Sequence, residues 1–212
     1  MKKYGKSLSF LKKVKESNLS GSEKIERAQL LASLFEKMDD LEMAKAYLVN
    51  LSQEWKGEGE KLAPLYYHLA KLNLKTKQYD FAKASIDKSL NQFEKMGKTD
   101  SKEYAKALEL KAEILVALGK KIAAVDVYMN LLKNFESKMP LESVRYKAGL
   151  ILFEEGDLMG AKRIWSRLKT SSKKNFYAEL AEEKMKSEEW FQKYKKYMDR
   201  FPALSSSSKR SQ

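Results

Sequence analysis

Large apolar residues recur along this chain at steps of three and four. Leu30, Leu31, Leu34 and Phe35 form one such set, Leu65, Leu69 and Leu72 another, and Leu108, Ala112 and Leu115 a third. An α-helix brings residues at those steps onto one face, so each set predicts a helix with one buried side. Ser20 followed by Glu23 has the spacing of a capping box and predicts where the first long helix starts. From there helical periodicity continues to Phe201. It is interrupted at Met38 to Asp40, Lys75 to Lys77, Gly97 to Asp100, Gly119 and Lys120, Lys138 to Pro140, and Gly156 and Asp157. Asp39, Asp100 and Asp157 are expected as N-caps, and Pro64 and Pro140 in first turns, where a missing N–H costs nothing. Ser187 to Trp190 reads as one more capped start. The pattern predicts an all-α chain of helix pairs joined by tight turns.

The pairs repeat. With Arg27–Leu51, Tyr66–Ser89, Leu108–Leu131 and Arg145–Leu168 in register, a small residue recurs in each first helix: Ala32, Ala70, Ala112 and Gly149. A second small residue follows twelve positions later, at Ala44, Ala82, Ala124 and Ala161. A large apolar residue comes four further on, at Leu48, Ile86, Tyr128 and Trp165. Small residues let two helices approach closely, and the bulky ones fill the groove beside them.

At these residues the chain resembles the tetratricopeptide repeat family, over about Ser22 to Lys169. The clearest stretches are Tyr66 to Ala70 with Tyr79 to Ala82, and Tyr146 to Gly149 with Glu155 to Ala161. The resemblance implies an α-solenoid of antiparallel helix pairs in a right-handed superhelix. The second-helix alanines lie 38, 42 and 37 residues apart, against a family period of about 34. The extra residues are placed in longer second helices and in loops such as Asn91 to Asp100. Lys111 and Arg145 stand where the family has Leu and an aromatic. The expected layout is a basic N-terminal arm at 1–20 with a short amphipathic segment, repeats at 21–170, capping helices at 171–203 and a disordered Ser-rich basic tail at 204–212.

Composition narrows the function. There is no Cys and one His, His68, among 212 residues. Disulfides, thiol chemistry and multi-histidine metal sites are therefore excluded, and no cofactor is expected. His68 is read as a packing or hydrogen-bonding residue. Gly97-Lys98-Thr99 has the end of a phosphate loop, but position 92 is Gln and the loop's first glycine is missing. The acidic pairs at Asp39, Glu154 and Glu188 suit turns and helix ends, so the chain is read as no enzyme.

The charged start, Met1 to Lys6, is followed by only Leu8 to Leu11 before Lys12 and Lys13. That falls short of the roughly 7–15 apolar residues of a signal segment. No run approaches the roughly 20 apolar residues of a membrane span. A cytoplasmic protein is expected. The alternative is a module of a larger exported bacterial envelope or assembly protein.

The resemblance also implies where a partner would sit, because first helices of such repeats line a concave groove. Its register puts Gln29, Ser33, Tyr67, Lys71, Leu74, Lys75, Lys106, Glu109, Glu113, Tyr146, Leu150 and Phe153 there. That mixture suits a partner peptide or helix with acidic flanks, making the chain an interaction scaffold or adaptor. Gln29 and Ser33 occupy positions at which the carboxylate-clamp subtype has other residues, so no clamp is expected. Leu150 and Phe153 have a plainer role available, packing on the next helix.

Near the C-terminus, Trp190, Tyr194, Tyr197 and Phe201 form a helical stripe with Lys193, Lys195, Lys196 and Arg200 between them. Two roles compete: an inward-facing cap over the last repeat, and a secondary aromatic and basic surface made by Trp190, Tyr194, Tyr197 and Arg200 for a partner protein or an anionic surface, RNA or lipid. The formal net charge of +13 invites an anionic partner. Yet Lys far outnumbers Arg, acidic residues are interleaved and no nucleic-acid motif is present, so nucleic acid is not expected as the partner.

Overall fold

The structure, a computed structural model, describes residues 2–55, 59–168 and 175–200. The tail at 204–212, Phe201 and the side chain of Arg200 lie outside the described residues. Among those described there are ten α-helices and no strand: α1 Lys2–Lys13, α2 Gly21–Lys37, α3 Leu41–Glu54, α4 Gly59–Lys75, α5 Tyr79–Lys95, α6 Lys102–Ala117, α7 Lys121–Phe135, α8 Glu142–Glu154, α9 Leu158–Ser166 and α10 Phe176–Arg200. The fold is an all-α helical repeat. It divides into two units, Met1–Pro140 and Leu141–Gln212.

In the first unit α2 packs on α3, α4 on α5 and α6 on α7. The repeated small residues explain the pairing. Ala32, Ala44, Ala70, Ala82, Ala112 and Ala124 are all fully buried, as are Leu48 and Ile86 four residues after the second-helix alanines. Without side-chain bulk at the crossing, the backbones come close and the large residues interlock beside them. Ile25, Leu31, Leu65 and Leu72 complete the centre of this core. Helix α1 lays Leu8 and Leu11 against it, and the Arg27 Nε–H donates to the Leu11 carbonyl at 3.2 Å. That bond satisfies one of the carbonyls left open at a helix C-terminus.

Each pair turns in the same way. One residue adopts the left-handed conformation: Asp39 (φ 64), Lys77 (φ 59), Gly119 (φ 73) and, in the second unit, Gly156 (φ 87). Each stands five residues before the second-helix alanine. The amide after it closes back on the preceding helix: Asp40 to Phe35 O at 2.9 Å, and Gln78 to Asn73 O, Lys120 to Leu115 O and Asp157 to Leu152 O at 2.8 Å. This is the six-to-one bond of a Schellman cap.

Polar bonds tie neighbouring elements. The Ser89 hydroxyl, fully buried, donates to the Ala63 carbonyl at 2.7 Å. Lys45 lies buried on α3 and reaches the α4–α5 turn, donating to Gln78 Oε1 at 2.9 Å and Thr76 Oγ1 at 3.3 Å. It also pairs with Glu42 at 2.7 Å. A buried ammonium is tolerable because all these acceptors surround it. Lys111 on α6 pairs with Asp87 on α5 at 2.9 Å, giving a polar reason for Lys at that repeat position.

The local signals hold with five corrections, one being Pro140, which precedes α8 and its N-cap Leu141 instead of standing in the first turn. The Ser20–Glu23 capping box is present in both directions, and Asp157 accepts from the Gly160 amide at 2.8 Å. The N-cap of α3 is Asp40, however, because Asp39 takes the left-handed turn position. The N-cap of α6 is Ser101, whose hydroxyl accepts from the Tyr104 amide at 3.1 Å; Asp100 is instead 3.8 Å from Lys138. Pro64 stands inside α4, beyond its first turn. Ser187 lies within α10, since the helix has already begun at Phe176.

In the second unit α8 packs on α9, and α10 packs on both. The shared register holds here with a change of size. Gly149 is buried against Trp165, and a Cβ on it would lie only 2.6 Å from Trp165 Cδ1. The indole N–H donates to the Tyr146 carbonyl at 3.1 Å.

Candidate protein-interaction surface

Within the first unit, α2, α4 and α6 are the first helices of their pairs. Gln29 and Ser33 are half-buried on α2. One turn beyond Ser33, Glu36 accepts from Lys75 of α4 at 2.5 Å and lies 3.1 Å from His68 Nε2. Burial alone would raise the Glu36 pKa. The hydrogen bonds from Lys75 and His68, with the charges of Lys75 and Lys71, overcome it and hold the carboxyl below its ordinary value. His68 is thus a hydrogen-bonding residue in an inter-helix cluster.

Tyr67 and His68 are neighbours on α4. The Tyr67 phenol is half-buried, and its pKa is raised by burial first and then by the carboxylates of Glu109 and Glu113 on α6. Three of the residues singled out in the sequence therefore act on one another across α4 and α6, Tyr67 with Glu109 and Glu113, and a fourth, Lys75, pairs with Glu36 of α2. Lys71 and Lys106 are exposed, and Leu74 is half-buried. Glu36 itself was missed in the sequence. Its signal was modest, a carboxylate one turn past Ser33 on the same helix face.

The second helices carry a further surface that the periodicity did not single out. Met43, Phe81, Ile122 and Met129 are exposed on α3, α5 and α7. An open groove of about 710 Å³ runs between α3 and α5, lined by Val49, Tyr66, Phe81 and Lys88 among others. Lys88 Nζ sits 5.4 Å from the centre of the Tyr66 ring. Met43 and Phe81 directly precede the repeated alanines Ala44 and Ala82, which was the available signal.

In the second unit Tyr146, Leu150 and Phe153 are each half-buried on α8. Tyr146 stacks on Trp165 at 5.8 Å and 17° and meets Tyr177 at 5.8 Å. Phe153 meets Trp165 at 5.8 Å. Burial, and then Glu154 and Glu183, raise the Tyr146 pKa. Beside this cluster, α9 and α10 border a cavity of about 310 Å³ lined by Trp165, Ala178, Ala181 and Met185.

Only the first half of helix α10 lies against α8 and α9. Ala181 is buried and Met185 partly so, but from Ser187 to Tyr197 only Glu188 has any substantial cover. Trp190 is 64% exposed, Phe191 52%, Tyr194 48% and Tyr197 53%. Trp190 and Tyr194 stack on each other at 5.4 Å and 6°. The stripe finds no core because α10 buries residues of its first half only, such as Ala181. No group of three or more metal-ligating side chains occurs among the described residues. None of the described helices is long and apolar enough to cross a membrane.

These features define a helical-repeat protein of the kind that presents helix faces to other proteins. Residues 63–95, which lie across α4 and α5, match the family model of the tetratricopeptide repeat. That match covers one helix pair, and the chain as a whole is similar to this family in fold. Solved structures share the fold. BtubC from P. vanneervenii has 18% identity and a TM-score of 0.63, with 89% of this chain and 82% of that one covered. A tetratricopeptide repeat protein from Parabacteroides merdae has 20% identity and a TM-score of 0.67, with 89% and 68% covered. A protein of nearly identical TPR-like repeats from Podosopora anserina has 12% identity and a TM-score of 0.67, with 91% and 99% covered. At these identities the likeness is one of fold. No curated protein sequence matches the chain.

Proposed function

We propose that the chain is a non-enzymatic adaptor that holds a peptide or helix of a partner protein on the first-helix face of its repeats. Tetratricopeptide repeats serve protein–protein interaction in general, and the finer reading rests on one observation. Side chains of three successive first helices converge: Glu36 with His68 and Lys75, and Tyr67 with Glu109 and Glu113. Such convergence makes a continuous polar and aromatic surface held by rigid helices, which suits a partner segment better than a small substrate. Tyr67 supplies a half-buried anchor ring. Lys71 and Lys106, both exposed, would attract acidic residues flanking the bound segment. Gln29, Ser33 and Leu74 would border it.

On the second unit Tyr146, Leu150 and Phe153 would present their outer edges. Their rings also support Trp165, so their replacement would confuse binding with folding. The test therefore uses the first unit. Quantitative capture from native cells compares the full chain with Lys71→Glu/Lys106→Glu, followed by calorimetry on the protein retained. The two charge reversals should keep the wild-type helical fold by circular dichroism, with a small loss of stability because Lys71 helps to hold Glu36 ionised, and weaken that protein at least about tenfold. Equal affinity in the folded variant would remove this surface from the assignment.

A further inference from the structure

Helices α3 and α5 both pack on α4, and the open groove of about 710 Å³ lies between them. A second hollow of about 440 Å³ shares Tyr66, Ala84 and Lys88 with it and carries it on to Lys95. The walls are low at Ala46, Ala84 and Ser85, so another backbone can come close. Four side-chain amides border this groove: Asn50 and Gln53 on α3, Asn91 and Gln92 on α5. None of the four has a hydrogen-bond partner among the described residues. A fifth, Asn73, is buried in the floor and donates to Ser85 Oγ at 3.5 Å, which is long for such a bond. The lining carboxylates are already engaged, Glu42 by Lys45 and Asp87 by Lys83 and Lys111. The other carboxylates of the two helices, Glu54, Asp80 and Glu94, do not line the groove. Lys88 lies over the Tyr66 ring, and neither it nor Lys95 has an ion pair among the described residues.

We propose that this groove holds an extended segment of a partner protein, its backbone on the side-chain amides and an acidic residue toward Lys88 and Lys95. The amides select the conformation. A carboxamide carries donor and acceptor together, which matches the open N–H and C=O groups of an extended chain. A helix satisfies those groups within itself, and burying the amides beneath it would leave them unpaired at a cost in free energy. The charges select the side chains. With the lining carboxylates engaged, the uncommitted groups are two cations, which complement an acidic segment. Apolar contact is available as well: alternate residues of an extended segment point to one side, where Val49 and Phe81 are exposed. Length fits, since Phe81 to Lys95 spans about 21 Å of helix rise, room for about six extended residues.

A phage-displayed library of random short peptides supplies the probe. Selection on the full chain should enrich peptides with an acidic residue, whose synthetic forms are then titrated by fluorescence anisotropy. Asn50→Ala/Gln53→Ala/Asn91→Ala should weaken them at least about tenfold. Lys88→Gln/Lys95→Gln should weaken them and flatten the salt dependence of binding. Ala84→Trp, a bulky residue at an exposed groove position, should block them. All the altered residues are exposed, and circular dichroism with thermal unfolding checks that each variant keeps the wild-type fold. Replacing residues of a selected peptide by α-aminoisobutyric acid, which favours helix, should weaken it. Equal or stronger binding by that peptide would make the occupant a helix and overturn the proposal. So would failure to enrich any peptide, or equal binding by the amide variant. Peptides weakened only by Lys71→Glu/Lys106→Glu would belong to the first-helix face and also overturn it, so the two surfaces stand or fall separately.

Discussion

Gly149 and Trp165 occupy one shared space. A Cβ on Gly149 would come within 2.6 Å of Trp165 Cδ1 and 2.7 Å of Cε2. The other three repeats fill the same pair of positions with Ala and a smaller partner, Ala32 with Leu48, Ala70 with Ile86 and Ala112 with Tyr128. The fourth repeat thus exchanges one methyl for a larger ring, which then supports Tyr146 and Phe153.

Gly149→Ala should therefore destabilise the second unit despite the better helix propensity of Ala. Forcing a methyl into a packed contact costs about 1–3 kcal/mol. Trp165→Leu alone should also destabilise, by leaving a cavity. The double variant recreates the Ala–Leu combination of the first repeat and should cost clearly less than the sum of the two. Denaturant unfolding of the four proteins measures the coupling. Strict additivity would show that the two residues do not compete for this space.

The pair turns offer a stabilising change. Gly119 and Gly156 occupy the left-handed position in two turns, but Lys77 occupies it between α4 and α5 at φ 59. A residue with a Cβ is strained there by about 1–2 kcal/mol, partly offset by the lower chain entropy it brings to the unfolded state. Lys77→Gly should raise stability by about 0.5–1 kcal/mol, read as a higher thermal midpoint. Asp39→Gly should gain less, because Asp tolerates this conformation better.

Acid should loosen the junction of α2 and α4 through Glu36. Its folded pKa is depressed below the ordinary 4.5 by Lys75, His68 and Lys71 acting against burial. As pH falls below the unfolded value, the unfolded chain takes up the proton first, and folding loses stability until the folded carboxyl titrates too. The contribution is thus complete above the unfolded pKa and lost on descent through the folded one. Glu36→Gln should lower stability near neutrality and flatten the acid limb of a stability–pH profile. An unchanged slope would show that other carboxylates carry the acid response.

Much of the fold was legible in the chain because repetition reports packing. The alanines at twelve-residue separation and the bulky residues four further on mark helix crossings, and every one of them is buried in the structure. Period, pairing and the capping box at Ser20 follow from local chemistry. The left-handed turns were legible where Gly occupied them and hidden where Asp39 and Lys77 did, since those residues carry no such signal.

What periodicity could not decide is what lies opposite each face. A helical stripe looks the same whether a neighbour covers it or not. Trp165 and Trp190 both stand on such stripes, yet the first is buried by Gly149 and Tyr146 while the second is exposed on the outer half of α10. Likewise Glu36, His68 and Lys75 belong together only because α2 and α4 pack side by side, bringing a carboxylate to groups more than thirty residues away. Sequence alone determined the repeated helix pair, because its small residues act within the pair. Tertiary structure alone decided which side chains meet between pairs and which aromatic face remains open, because burial depends on the neighbour.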